Sequence, residues 1–211
     1  MASDFISREI TSQLKPVLVE DGFFRRGPKF FVRVRGDLVD VVSFQVSQYG
    51  SKLFYVHYFC NLLPNPDWKR ATSGYRVGNR LNGGQVSGTN WIGDTEANAQ
   101  DAMQDVVGAY EATIRPWFEQ IPDVRNWIVE YVCAETTPLQ SLDMAIALCL
   151  IGKKGRAWWI TCDLVDGARK GKEKEFFNSF QEAIDDGSYK SLLRQWRQEA
   201  IEKNSIGKAV T

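Results

Sequence analysis

A chain of 211 residues with 44% hydrophobic and 25% charged side chains is long enough to bury a real core in one domain, or in one domain with a sizeable appendage. Lysine plus arginine and aspartate plus glutamate both number 26, which removes any global electrostatic pull towards nucleic acid or an anionic membrane. Cys60, Cys133, Cys149 and Cys162 form no Cys-x-x-Cys pair and there is one histidine, a pattern that argues against a zinc site and for reduced thiols packed in apolar surroundings.

The first residues lack the basic stretch and apolar run of a signal peptide. No apolar run approaches the ~20 residues that a spanning helix needs. A soluble cytoplasmic protein with no membrane partner is expected.

In chain order, residues 4–21 have helical periodicity, with Ile6, Ile10, Leu14, Val17 and Leu18 on one face. Ser3 or Asp4 can cap this helix, and Gly22 suits the left-handed position after it. Pro16, inside it, removes one ladder hydrogen bond and predicts a kink near Ser12. Three β-strands follow at residues 29–35, 38–47 and 53–63, each rich in β-branched and aromatic residues. The turn formers Gly36-Asp37 and Tyr49-Gly50-Ser51 separate them, and connections this short demand antiparallel neighbours. The third strand is apolar on both faces, Phe54, Val56, Tyr58 and Cys60 against Tyr55, His57 and Phe59. Such a strand belongs in the middle of a sheet that is covered, at least in part, on both sides.

Residues 65–93 hold six glycines, and residues 73–81 can add a fourth, irregular strand within this loop. From Asp94 the period is helical again, with Ala99, Met103, Val106, Val107, Tyr110, Ile114, Trp117 and Phe118 inward on a helix through residue 118. Further helices are predicted from Pro122-Asp123, from a Thr137-Pro138-x-Gln140 capping box through Ile151, and over residues 156–166, 173–185 and 189–202, the last capped by Ser188. Residues 157–162 also suit a strand, but Ala157, Ile160, Thr161, Leu164 and Val165 recur at helical spacing and favour helix. Residues 94–143 carry 10 acidic side chains against 2 basic ones, Arg115 and Arg125. That imbalance reads as solvated helix faces or as an acidic surface that meets a basic partner.

Several stretches together resemble one family. Asp4-Phe-Ile, Leu14-Lys-Pro-x-Leu18, Gly22-Phe23-x-Arg25-Arg26, Phe30 with Arg33, and residues 41–47 (Val-Val-Ser-Phe-Gln-Val-Ser) occur in order. Tyr75-Arg76, Arg80-Leu81, Trp91 and Arg115-Pro-Trp-Phe118 follow. The order and the motifs resemble the domain-of-unknown-function 4304 family of mostly bacterial, uncharacterised proteins, over residues 4–120. The resemblance implies no catalytic residue and no cofactor. By analogy with small bacterial families that stand beside toxins, it implies an accessory or immunity-like role.

His57 is the one side chain poised to move protons near neutral pH. It shares a strand face with Tyr55 and Phe59, and Asp40 can orient it only if register and face agree. The plain reading is a structural histidine, ahead of a binding contact and then of catalysis. Ser43, Ser47 and Ser51 are near, but no Gly-x-Ser-x-Gly elbow exists. Residues 78–84 lack the Gly-Lys-[Ser/Thr] ending of a phosphate loop. Arg25, Arg26, Lys29, Arg33 and Arg35 alternate with Phe23, Phe24, Phe30 and Phe31, a mixture that can hold a single strand of nucleic acid. The plainer alternative puts those aromatics inside and those arginines in water. In the glycine-rich segment Arg76 and Arg80 share a strand face and Trp91 can close over them, an arrangement suited to a carboxylate or an acidic protein surface.

The reading is therefore an α+β protein: an antiparallel sheet of four or five strands packed by helices (residues 1–120), with a helical C-terminal extension (residues 121–211) packed on it. The expected function is non-enzymatic binding of another protein. The alternatives are a small-ligand binder or enzyme using His57 with Arg76 and Arg80, and a single-strand nucleic-acid binder, which the neutral charge disfavours. The candidate binding residues are Gln45, His57, Arg76, Arg80, Trp91, Asp101 and Asp105. No catalytic residue, metal ligand or cofactor is assigned.

Overall fold

The structure, a computed structural model, describes residues 2–47, 53–66, 77–84, 88–134, 141–168, 171–204 and 206. Six strands form one antiparallel sheet: β1 (Phe24–Gly27), β2 (Phe30–Arg35), β3 (Leu38–Val46), β4 (Leu53–Leu62), β5 (Gly78–Arg80) and β6 (Trp91–Ile92). The first five lie in spatial order 1-2-3-4-5, and β6 pairs with β4 beside β5. With nine α-helical segments among the described residues, this is an α+β fold. The sheet exceeds the expected four or five strands because Phe24–Gly27 pairs with β2 and the two-residue β6 pairs with β4. Segments of four and two residues are too short for a period-2 pattern to mark them.

The expected first helix exists as α1 (Ala2–Glu9), a π-helical turn (Ile10–Leu14) and α2 (Lys15–Glu20). It starts at Ala2, ahead of both capping candidates. At the position of the expected kink the structure has a π turn, which contains Ser12. Proline at residue 16 has no N–H, and its ring crowds the carbonyl four residues back. The turn before it widens, so that the N–H of Lys15 reaches Ile10 O instead. The chain repeats the device a hundred residues later. Helix α3 (Glu96–Ala109) passes through a π turn (Tyr110–Ile114) into α4 (Arg115–Glu119), the N–H of Arg115 bonds Tyr110 O, and Pro116 follows. Each π turn buries both of its end residues, Ile10 with Leu14 and Tyr110 with Ile114.

These helices cover one face of the sheet. Ile6, Ile10, Leu14 and Leu18 from the first and Ala102, Met103, Val106 and Phe118 from the second join Phe31, Val42, Phe44, Phe54, Val56 and Tyr58 in one hydrophobic cluster. The cluster continues through α5 (Val124–Ala134), α6 (Leu142–Leu150), α7 (Lys154–Gly167), α8 (Lys172–Asp185) and α9 (Tyr189–Lys203), ending at Trp196. Trp127 ties α5 to the sheet directly, its indole N–H donating to Cys60 O at 2.8 Å.

Helix α6 begins at Leu142, where Ser141 Oγ accepts the amide of Met144 at 3.1 Å. The capping box expected at Thr137 to Gln140 lies outside the described residues. Residues 157–162 are helical. Of the four thiols, Cys60 and Cys149 are buried, whereas Cys133 is exposed and Cys162 half-buried. Their apolar helix-face neighbours are in part exposed too, Val129 four residues before Cys133 and Trp159 three before Cys162.

A second, smaller cluster lies on the other sheet face. Val32, Val39, Val41, Phe59 and Leu63 meet Ala200 and Ile201 of α9 and Ile206 beyond it. The C-terminal helix therefore wraps round the sheet and covers part of its outer face, which accounts for a β4 that is apolar on both sides.

Candidate functional site

The sheet registers sort the candidate residues. In the β3–β4 ladder Asp40 faces Cys60, Ser43 faces His57 and Gln45 faces Tyr55. In the β4–β5 ladder Arg80 faces His57. Successive side chains alternate between faces, so Ser43, Gln45, Tyr55, His57 and Arg80 share the outer face, at the end that α9 does not cover among the described residues. Asp40 belongs to the inner face and does not orient His57.

On this open end the Arg80 guanidinium lies 4.3 Å from the centroid of the Tyr55 ring, a diagonal cation–π contact between neighbouring strands. His57 stands between Ser43 and Arg80. Partial burial, and after it the positive charge of Arg80, holds its imidazole below the ordinary value. The ring is consequently neutral at physiological pH, and both of its nitrogens are buried. Gln45 and Arg80 are exposed, and Tyr55 and His57 are half-buried. β5 can lie this close to β4 because residue 78 is glycine: a Cβ there would collide with Phe59 and with the backbone of Tyr58.

The other candidates lie elsewhere. Trp91 is fully buried and stacked on Phe54, with ring centroids 5.9 Å apart. Phe54 points to the inner face, so the indole is part of the core and does not close over Arg80. Residue pairing decided this: Trp91 is opposite Phe54 in the β4–β6 ladder. Arg76 lies outside the described residues. Asp101 and Asp105 are exposed on α3, which packs on the inner face through Ala99, Ala102, Met103 and Val106. They face away from the sheet, on the opposite side of the molecule from His57.

The arginines weighed for nucleic acid are largely engaged within the fold. Asp40, with no exposed surface, accepts from Arg33 Nε at 2.9 Å and from Arg35 Nε and Nη2 at 2.6 and 2.8 Å. Arg33 also donates to Asp21 O and lies between the rings of Phe23 and Phe118, 4.6 and 5.4 Å from their centroids. Asp21 in turn accepts from the Tyr110 hydroxyl and from Arg115 Nε. Arg25 donates to Thr11 Oγ1, Gly27 O and Pro28 O. Burial, reinforced by Asp40, pushes the Cys60 thiol well above its ordinary value, so it stays protonated beside this network. Sequence reading missed the cluster, although a lone aspartate among valines in a central strand demands a cationic partner.

Among the described residues no group of three or more His, Cys, Asp or Glu side chains could hold a metal ion, and no helix is long and apolar enough to cross a membrane.

An α+β protein with a helix-covered inner face and a half-open outer face is the class this geometry defines. Residues 14–120 match the family model described as Domain of unknown function (DUF4304), half of the chain, which therefore belongs to that family. No curated protein and no solved structure matches it. The matched span begins at the last residue of the first π turn and contains the second π turn and the whole Asp21–Arg33–Asp40–Arg115 network. Phe23, Arg33 and Phe118, which carried the resemblance in sequence, meet one another in space, and Arg115 joins them through Asp21 as a structural fastening.

Proposed function

We propose that the protein acts by binding another protein, without catalysis, as an accessory or immunity-like factor in the bacterial cytoplasm. One observation carries this reading: the end of the outer sheet face that α9 does not cover presents Gln45, Tyr55 and Arg80 as a pre-ordered patch over the buried nitrogens of His57, with the guanidinium already stacked on the phenol ring. Tyrosine and arginine dominate the energetics of protein interfaces. Side chains held on paired strands lose little further freedom when a partner arrives. The exposed guanidinium suits a partner carboxylate, and Tyr55 offers a large ring with a polar tip. Asp101 and Asp105, on the opposite side, act at longer range, repelling nucleic acid and orienting an approaching partner.

A second reading rests on the same patch: a small carboxylate ligand held by the exposed Arg80 guanidinium beside Tyr55. It predicts saturable binding of a free organic acid at the outer face with no protein partner.

The test is affinity capture from the native host with the wild type and with a Tyr55→Ser, Arg80→Glu double variant of unchanged melting temperature. A protein held by the wild type and released by the double variant supports the proposal. Capture that is indifferent to both substitutions removes this face from the account.

A further inference from the structure

At the turn end of the β2–β3 hairpin, away from that patch, a cleft of about 390 Å³ opens between α6, α9 and the hairpin turn. Its volume is within the range of pockets that hold small ligands. The floor is apolar, made by Pro64, Cys149, Leu150 and Leu193, with Tyr189 beside them. The rim is cationic: Lys190, Arg194 and Arg197 recur at intervals of four and three on α9, so all three line the same side. Asp37 is the sole acidic residue lining the cleft among the described residues.

Charge around the cleft is poorly matched. Arg197 is the one member of the stripe with an acidic partner among the described residues, a loose pair at 3.6 Å from Nε to Asp37 Oδ1, and it also donates to Gly36 O at 3.3 Å. Among the described residues Arg194 bonds within its own helix, to Lys190 O and Ser191 Oγ. Cys149 is buried and its thiol is pushed up to about 12 by burial, so it adds no competing anion to the floor. A pocket that is apolar below and carries unneutralised cations on one edge is complementary to a molecule with a hydrocarbon body and a terminal anionic group.

We propose that this cleft binds a carboxylate borne on an apolar body, with the body against Leu150 and Leu193 and the carboxylate between Lys190 and Arg194. Two sources share that chemistry, a free hydrophobic acid and the C-terminus of a peptide that ends in an apolar residue. The site is independent of the outer sheet face, and neither proposal requires the other.

The experiment is calorimetric titration of the full chain with decanoate, with decanol, and with an N-acetylated peptide Ala-Ala-Leu carrying a free C-terminus or an amidated one. Decanoate is expected to bind at least tenfold more tightly than decanol if the source is a free acid. The free peptide is expected to exceed its amide by the same factor if the source is a chain end. Lys190→Glu with Arg194→Glu, both at solvent-facing positions, should weaken the anionic probe at least tenfold and leave decanol unchanged. Leu193→Asn should weaken the same probe while the charges remain. The inference is overturned if no anionic probe binds, or if the charge-reversed variant binds it as well as the wild type.

Discussion

Asp40, wholly enclosed by the sheet and its helices, is gripped from the neighbouring strand by Arg35, whose Nε and Nη2 reach its two carboxylate oxygens at 2.6 and 2.8 Å. Arg33 supplies a further donor to Oδ2 at 2.9 Å. Two cations share one buried anion, so removing the anion leaves both guanidinium groups uncompensated. Asp40→Ala is therefore expected to cost about 3–5 kcal/mol, as for other broken buried pairs. Urea unfolding followed by tryptophan fluorescence measures it. A loss below about 1 kcal/mol would show that water enters and solvates the two arginines.

The helices after residue 121 share a core with the sheet, and Trp127 is where this is most direct. Its ring stacks on Tyr131 at 5.0 Å and its N–H satisfies Cys60 O. Trp127→Ala should cost about 3–5 kcal/mol and lower the single melting transition of the whole chain. Two separated transitions, with only the later helices destabilised, would mean that sheet and helices melt independently.

Much of this arrangement was legible in the sequence, and the physical reason is local. The hairpin turn at Gly36-Asp37 fixes the pairing of 35 with 38 and hence of 33 with 40. The two-sided apolar pattern of β4 announced a covered outer face. The inward set on the helix through Phe118 followed from spacing, because a helix must bury one stripe. What escaped notice depends on pairing between segments distant in sequence. Arg80 stacks on Tyr55 only because β5 returns beside β4, and Trp91 turns inward only because it pairs with Phe54. Asp40 sits on the face away from His57 because it is three positions, an odd number, from Ser43, the partner of His57. No periodicity within a single segment carries those relations.

Gly78 has a steric reason that can be tested. A methyl group there would press into Phe59, whose Cα would be 2.7 Å away, and into the backbone beside it. Gly78→Ala should cost about 1–3 kcal/mol and loosen β5. The readout is hydrogen exchange at the amide of Leu81, which donates to Val56 O at 2.8 Å. Faster exchange there with little change at the β2–β3 ladder is the expected result, and unchanged exchange would mean that β5 shifts to accommodate the methyl.

His57 makes stability depend on pH in a direction that follows from its environment. Burial, then Arg80, lowers its pKa in the folded state, so the unfolded chain binds its proton first as pH falls. The stabilisation is complete above the ordinary imidazole value of about 6.5 and is lost as pH falls through the lower folded value. Melting temperature should decline from pH 7 to pH 5 more steeply in the wild type than in His57→Gln. That substitution should itself cost about 1–2 kcal/mol at pH 7. Equal slopes in the two proteins would show that the imidazole gains its proton freely in the folded state.

The account stands or falls on the open end of the outer face. The most direct measurement is the dissociation constant of the captured partner for the wild type and for the Tyr55→Ser, Arg80→Glu double variant, with Asp101→Lys as a control on the opposite side. Loss of an interface anchor of this type is worth about 2 kcal/mol or more, roughly thirtyfold. The account predicts at least that loss for the double variant. For Asp101→Lys it predicts an altered association rate and salt dependence with a dissociation rate close to that of the wild type. A double variant that binds within about twofold of the wild type, which is under 0.5 kcal/mol, would contradict it.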